Sequence, residues 1–209
     1  MTKEEKVKKI LSRLYKIWPN PKIALNFSNS LELLIATILS AQTTDKLVNT
    51  VTPELFKRYK TAKDYSESTL EEIDNFIKKV NFHNNKTKSI KASTEIIFQK
   101  YGGIVPKTME ELDALPGVAR KTANVVLGSG FNITSGIVVD THVIRLSQKL
   151  KLTSEKTPEK IEEDLMKIVP KENWIDFSLL LINFGREFCK ARPHICTSCP
   201  LGDLCPDIQ

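Results

Sequence analysis

One stretch constrains this chain more than any other: Leu112-Asp-Ala-Leu-Pro-Gly-Val-Ala-Arg-Lys-Thr-Ala-Asn-Val-Val-Leu127. It reads as helix, tight hairpin, helix. Thr108 caps the first helix, and Glu111 three residues later completes a capping box. Pro116-Gly117 breaks that helix, because proline has no N–H to donate and glycine tolerates positive φ. A second helix restarts at about Ala119 and carries Val125, Val126 and Leu127 inward. Its first turn exposes backbone N–H groups with no partner inside the helix. Such a turn is an anion site, and a DNA phosphate is a suitable ligand, with Gly117 and Ala119 at its approach. Lys121 sits in the same first turn.

The remainder is punctuated as helices. Residues 3–18 are amphipathic, with Val7, Ile10, Leu11, Leu14 and Trp18 on one side, and Pro19-Asn-Pro21 ends them. Ser30 is the expected cap of an apolar helix over 31–39. A polar loop, Ser40 to Asp45, follows, with Asp45 as the next cap. Short helices are expected at 46–51 and 53–60. Ser68 and Glu71 suggest a capping box for 69–79, and Gly102-Gly103 closes a helix over 86–101. Gly128 to Gly136 reads as loop, and further helices are expected at 141–150, 158–168 and 172–185. Strand signals are confined to the short apolar run Gly136-Ile-Val-Val139. The expected class is all-α.

A chain of 209 residues is long enough for one domain or two small ones. Its net charge of +6 fits a polyanionic partner without requiring one. The charged N-terminus lacks an apolar signal core, and no apolar run is long enough to span a membrane. A soluble intracellular monomer without a membrane partner is expected.

All four cysteines fall in one pattern, Cys189-x6-Cys196-x2-Cys199-x5-Cys205. A disulfide framework would spread its cysteines to staple distant segments. Clustering argues for a metal instead. Thiolates suit either zinc or an iron–sulfur cluster, and on chemistry alone both remain open. The segment has too little apolar content to pack as bare thiols. Between the first two cysteines lie Lys190 and Arg192, with Arg186 just upstream. They suit phosphate contacts as well as a solvated basic loop.

Lys121 would ordinarily be a solvated surface charge. Used as a nucleophile, a free lysine of pKa about 10.4 must be lowered by roughly three units, at a cost of about 4 kcal/mol. Desolvation and the positive end of a helix both act in that direction. Asp140 precedes the helix that starts at Thr141, and its plain role is an N-cap. His142 reads as a structural residue bonded to a polar neighbour.

Leu115-Pro-Gly-Val-Ala-Arg-Lys-Thr-Ala123, Val139-Asp-Thr-His142 and the cysteine pattern together resemble the endonuclease III family over nearly the whole chain. These are bifunctional DNA glycosylases and abasic-site lyases of the helix-hairpin-helix superfamily. The resemblance implies two helical domains, one over 22–132 with the hairpin and one over 1–21 plus 133–209 with the cysteines. DNA would bind in the cleft between them. It implies a [4Fe–4S] cluster on Cys189, Cys196, Cys199 and Cys205, since the spacing matches at every cysteine.

The resemblance also implies Lys121 as the amine nucleophile on the sugar C1′, with Asp140 nearby. A carboxylate alone would hold the ammonium form, so Asp140 is expected to accept a proton during attack or to stabilise positive charge on the sugar. The partner is then double-stranded DNA carrying damaged bases, oxidised pyrimidines above all, or abasic sites. The setting would be a prokaryotic cytoplasm, at the nucleoid. Gln42 matches the residue that fills the gap left by a flipped base, and Phe82 the apolar wedge; Lys190 and Arg192 would meet the backbone.

Two positions depart from the family pattern. Ala119 replaces a usual glycine, acceptable if its φ is negative, and Asn81 replaces a usual glycine in the wedge loop. Two other functions share these features. A monofunctional adenine glycosylase has the hairpin and the cluster, but lacks the lysine and usually carries a further C-terminal domain. A non-catalytic DNA-binding module has the hairpin alone.

Overall fold

Helix caps set most of the element boundaries. The computed structural model describes residues 1–192, 196 and 198–206. Among these residues there are eleven α-helices and no strand. They are α1 (Lys3–Ile17), α2 (Ser30–Ser40), α3 (Asp45–Arg58), α4 (Ala62–Glu67), α5 (Leu70–Ile77), α6 (His83–Tyr101), α7 (Met109–Asp113), α8 (Arg120–Val125), α9 (Thr141–Lys149), α10 (Pro158–Ile168) and α11 (Trp174–Glu187). The all-α class holds. The chain forms two compact units, Ala24–Ile133 and a second made of Met1–Ile23 with Thr134–Gln209.

Several local expectations shift by a residue. Asn29 caps α2 in place of Ser30, and Thr44 caps α3 in place of Asp45, each accepting from the N3 amide. The capping box of α5 uses Thr69 and Glu72, one residue beyond Ser68 and Glu71. Thr108 caps α7 as expected, but it returns its hydroxyl proton to Glu111 Oε2 at 2.8 Å. Larger differences have packing causes. α3 runs through Pro53 without interruption, because Val48, Val51, Leu55 and Phe56 bury one continuous stripe across it. An interior proline costs about 3 kcal/mol, and burial of those side chains offsets it. The segment from Val126 to Gly130 continues α8 as a π-helix, burying Val126 and Leu127 as expected and extending helix through Gly128 to Gly130, where a loop was expected. Gly136 to Val139 forms no regular structure.

In the middle unit α6 is the rod against which α2, α4 and α5 pack. Its buried stripe is Lys86, Ile90, Ser93, Thr94 and Ile97. The helix ends as the sequence indicates, with Gly102 left-handed at φ 60. The hairpin after α7 is fastened to the same rod. Ser93 Oγ donates to the Pro116 carbonyl at 2.6 Å. Gly117 has φ 77, and a Cβ built on it would stand 2.6 Å from both Cβ and Oγ of Ser89. Glycine is therefore required by conformation and by space.

The second unit has its own core. Val7, Ile10, Leu11 and Leu14 of α1 join Leu146 of α9, Leu165 of α10, and Phe177, Leu181 and Phe184 of α11. The stripe on α1 is the one its periodicity indicates.

Gly117→Ala should lower the free energy of unfolding by about 2–4 kcal/mol, from left-handed strain plus overpacking against Ser89. A denaturant titration measures this. An unchanged midpoint would contradict the packing described.

Candidate active site and cysteine cradle

The hairpin presents an open face. Gly117, Ala119, Arg120 and Lys121 are all exposed, while Leu115 and Val118 anchor the turn from below. No side chain caps the start of α8. Ala119 has φ −95 and ψ 167, extended backbone that any residue adopts, so the departure from glycine brings no strain. Lys121 is the second residue of α8, held in place by the buried Ala123, Asn124 and Val125 that follow.

Asp140 takes the cap role at α9. Its Oδ1 accepts from the His142 and Val143 amides, each at 2.9 Å, which leaves Oδ2 outside the cap. Lys121 belongs to the middle unit and Asp140 to the other. His142 departs from expectation, because its buried Nδ1 has no hydrogen-bond partner. Burial pushes the imidazole pKa down, Asp140 pulls against that, and Arg145 and Arg186 add to it. His142 and Arg145 fill a notch over Gly185, where a Cβ would lie 2.5 Å from His142 Nδ1 and 3.2 Å from Arg145 Nη2.

The four cysteines line one cavity together with Leu146, Lys149, Leu150, Phe184 and Leu201. None is in a disulfide. Burial pushes the Cys199 thiol up, a hydrogen bond from the Leu201 backbone amide pulls it down, and the neighbouring Cys189, Cys196 and Cys205 push it up further. Four cysteine sulfurs lining one cavity are a soft donor set suited to a cationic metal core. Among the described residues no three His, Cys, Asp or Glu side chains gather as they would around one ion.

Two arginines support this cradle. Arg145 Nη1 donates to Cys189 Sγ at 3.6 Å. Arg13 of α1 grips both carboxylate oxygens of Asp203 and donates to the Pro200 carbonyl at 3.0 Å. It thereby clips the Cys199–Cys205 segment to the N-terminal helix. The Arg13 guanidinium holds the Asp203 carboxyl down at about 2.

Gln42 and Phe82 are exposed, and both hold left-handed backbone, at φ 55 and φ 56. Such a conformation costs a non-glycine residue about 1–2 kcal/mol. Phe82 is 61% exposed, so it does not act as a core residue. Lys190 and Arg192 are exposed on the loop between the first two cysteines. Sequence reasoning missed Lys86, Arg13 and Arg145. Lys86 was detectable, since it lies on the same helical stripe as Ile90 and Ile97. The two arginines act across long sequence separations and carry no local signal.

Comparison with known proteins agrees with this architecture. The model of the HhH-GPD superfamily base excision DNA repair proteins matches residues 35–171. Endonuclease III of Synechocystis sp. is 46% identical over 208 residues, covering 100% of this chain and 95% of that protein. The Bacillus subtilis enzyme is 44% identical, with 95% and 91% covered, and the Escherichia coli enzyme 41%, with 94% and 92%. A solved trapped endonuclease III–DNA covalent intermediate superposes with a TM-score of 0.92 at 41% identity, covering 99% of this chain and 97% of that one. A thermostable thymine-DNA glycosylase at 24% identity shares the fold, with a TM-score of 0.87. The chain belongs to the endonuclease III family, within the HhH-GPD superfamily of base excision DNA repair proteins.

Proposed function

We propose that this base excision repair enzyme removes oxidised pyrimidines from duplex DNA and nicks the abasic strand on its 3′ side through a Schiff base on Lys121. The observation that carries this is an exposed lysine in the first turn of α8, beside a hairpin whose outer face is open to a phosphate backbone. The hairpin and the net charge of +6 support a polyanionic duplex as partner. No helix among the described residues is long and apolar enough to cross a membrane. Its bacterial relatives support a bacterial cytoplasm as its location.

The damaged nucleotide is flipped out of the stack, with Gln42 filling the gap and Phe82 wedging the duplex open. Lys121 Nζ then attacks C1′, and the glycosidic bond breaks with its electron pair leaving on the base. Asp140 accepts the ammonium proton and balances the positive charge that spreads over the sugar. The C1′–O4′ bond then breaks, O4′ leaving with the electron pair and taking a proton, and the iminium so formed acidifies the C2′ proton. Loss of that proton expels the 3′ phosphate by β-elimination, and water then hydrolyses the imine to free Lys121. The Oδ2 atom left outside the α9 cap supports this division of labour, since Asp140 keeps an oxygen for chemistry while Oδ1 holds the helix.

Cys189, Cys196, Cys199 and Cys205 would hold a [4Fe–4S] cluster, which supplies a rigid cross-link and no open coordination position. The gathering of the four cysteines on one cavity supports this donor role. The loop so fixed presents Lys190 and Arg192 to backbone phosphates.

Three outcomes are expected. On a duplex with a single abasic site, Lys121→Ala should slow strand nicking on the order of a thousandfold or more while binding persists. Nicking at the native rate would contradict the proposal. Asp140→Asn should keep the cap, with stability within about 0.5 kcal/mol, and still lose roughly 10²–10⁴ in rate. A matching loss of stability and rate would reduce Asp140 to a cap. Purified native chain should yield iron and acid-labile sulfide in equal amounts, and Cys199→Ser should lose both. Zinc in their place would overturn the cluster assignment.

A further inference from the structure

Gln42 and Phe82 hold left-handed backbone without being glycine. Such conformations persist only where the surroundings over-determine them. Three sets of bonds do so here. Asn81 Nδ2 donates to the Gln42 carbonyl at 2.7 Å, joining residues 39 apart in sequence. The buried Lys86 spends all three ammonium protons on the end of α2 and the loop that follows it. It donates to Leu39 O at 2.7 Å, Ala41 O at 2.6 Å and Thr43 Oγ1 at 3.0 Å, gripping the chain on both sides of Gln42. These carbonyls close the C-terminal end of α2, where a cation complements the helix dipole.

The Phe82 side is equally constrained. Its carbonyl accepts from the Asn85 and Lys86 amides, each at 3.1 Å. The next residue, His83, is bonded through Nδ1 to Asp74 Oδ1 at 2.6 Å, and Thr87 Oγ1 donates to that same oxygen at 3.0 Å. The backbone of Phe82 is thus fixed on both sides while its ring is 61% exposed. A fixed backbone under an unpacked aromatic ring is the arrangement of a probe rather than of a core residue.

We propose that Asn81 and Lys86 are positioning residues that join the Gln42 loop and the Phe82 turn into one preset duplex-invading element. The inference rests on the assignment of Gln42 and Phe82 to the opened duplex. Lys86 is the inner brace, holding the loop to α6. Asn81 is the outer tie, and a glycine at its position has no side chain to make this bond. The two prongs then enter DNA already ordered, and the ordering cost is met in folding instead of on binding.

The test uses a duplex with a stable tetrahydrofuran abasic analogue opposite 2-aminopurine, whose fluorescence rises as that base unstacks. Asn81→Ala removes an exposed tie and leaves the fold intact, as thermal unfolding checks. Lys86→Met strands buried carbonyls and destabilises the fold, so Asn81→Ala carries the test. Asn81→Ala should weaken binding to the abasic duplex about three- to tenfold and lower the fluorescence rise, with affinity for undamaged duplex unchanged. In the free protein, amide hydrogen exchange at residues 41–43 should quicken. Native affinity and native fluorescence with Asn81→Ala would overturn the inference, as would equal weakening on undamaged DNA. Phe82→Ala is the reference. If it abolishes the fluorescence rise while Asn81→Ala does not, the inference falls and the wedge assignment stands. If Phe82→Ala leaves the rise intact, the wedge assignment fails and the inference falls with it.

Discussion

The closest constraint in the middle unit is the approach of Gly117 to Ser89. The hairpin rests on α6 with no room for a Cβ, and Ser93 ties the Pro116 carbonyl one helical turn away. Because the hairpin is fastened to α6, so is the start of α8 and with it Lys121. The same helix begins at the Phe82 turn and carries Lys86 beneath the Gln42 loop. One rod therefore sets the position of the hairpin, of Lys121 and of the Gln42 and Phe82 backbone. A helix serves this purpose because its backbone hydrogen bonds are internal and its side chains leave at fixed angles.

The other unit solves a different problem, that of gathering four thiols in apolar surroundings. Four cysteines share a cavity with Leu146, Leu150, Phe184 and Leu201. A donated bond from Arg145 to Cys189 and the clip of Arg13 on Asp203 tether the loop. Asp140 caps α9 through one oxygen, and the other lies outside the cap. Gly185 makes room for His142 and Arg145 in the layer beneath.

What could be read in advance was whatever a short stretch determines. Caps such as Thr108, the stop at Gly102 and the break at Pro116-Gly117 are local chemistry, and they stand in the structure. The cysteine pattern is equally local. Pro53 misled because its penalty is local but its compensation, the burial of Val51 and Leu55, is tertiary. α4 escaped notice because six residues carry little periodicity. The left-handed turns at Gln42 and Phe82 were invisible for a related reason. Nothing in either residue type favours positive φ, and bonds from Asn81, Lys86 and residues around His83 impose it. Lys86 itself reads as surface until its stripe on α6 is noticed. Asn81 was visible only as a departure from glycine, and its partner, Gln42, lies 39 residues away.

The central claim is that the Lys121 amine becomes covalently bonded to the sugar. Borohydride reduces a Schiff base to a stable secondary amine, so it freezes that bond while turnover is under way. Duplex DNA with one thymine glycol should give a protein–DNA adduct with the native chain, and peptide mapping by mass spectrometry should locate the nucleotide on Lys121. An adduct on another lysine would move the chemistry away from α8. No adduct at all, from protein with intact iron and tight binding to the duplex, would contradict amine catalysis and leave a glycosylase that uses water in its place.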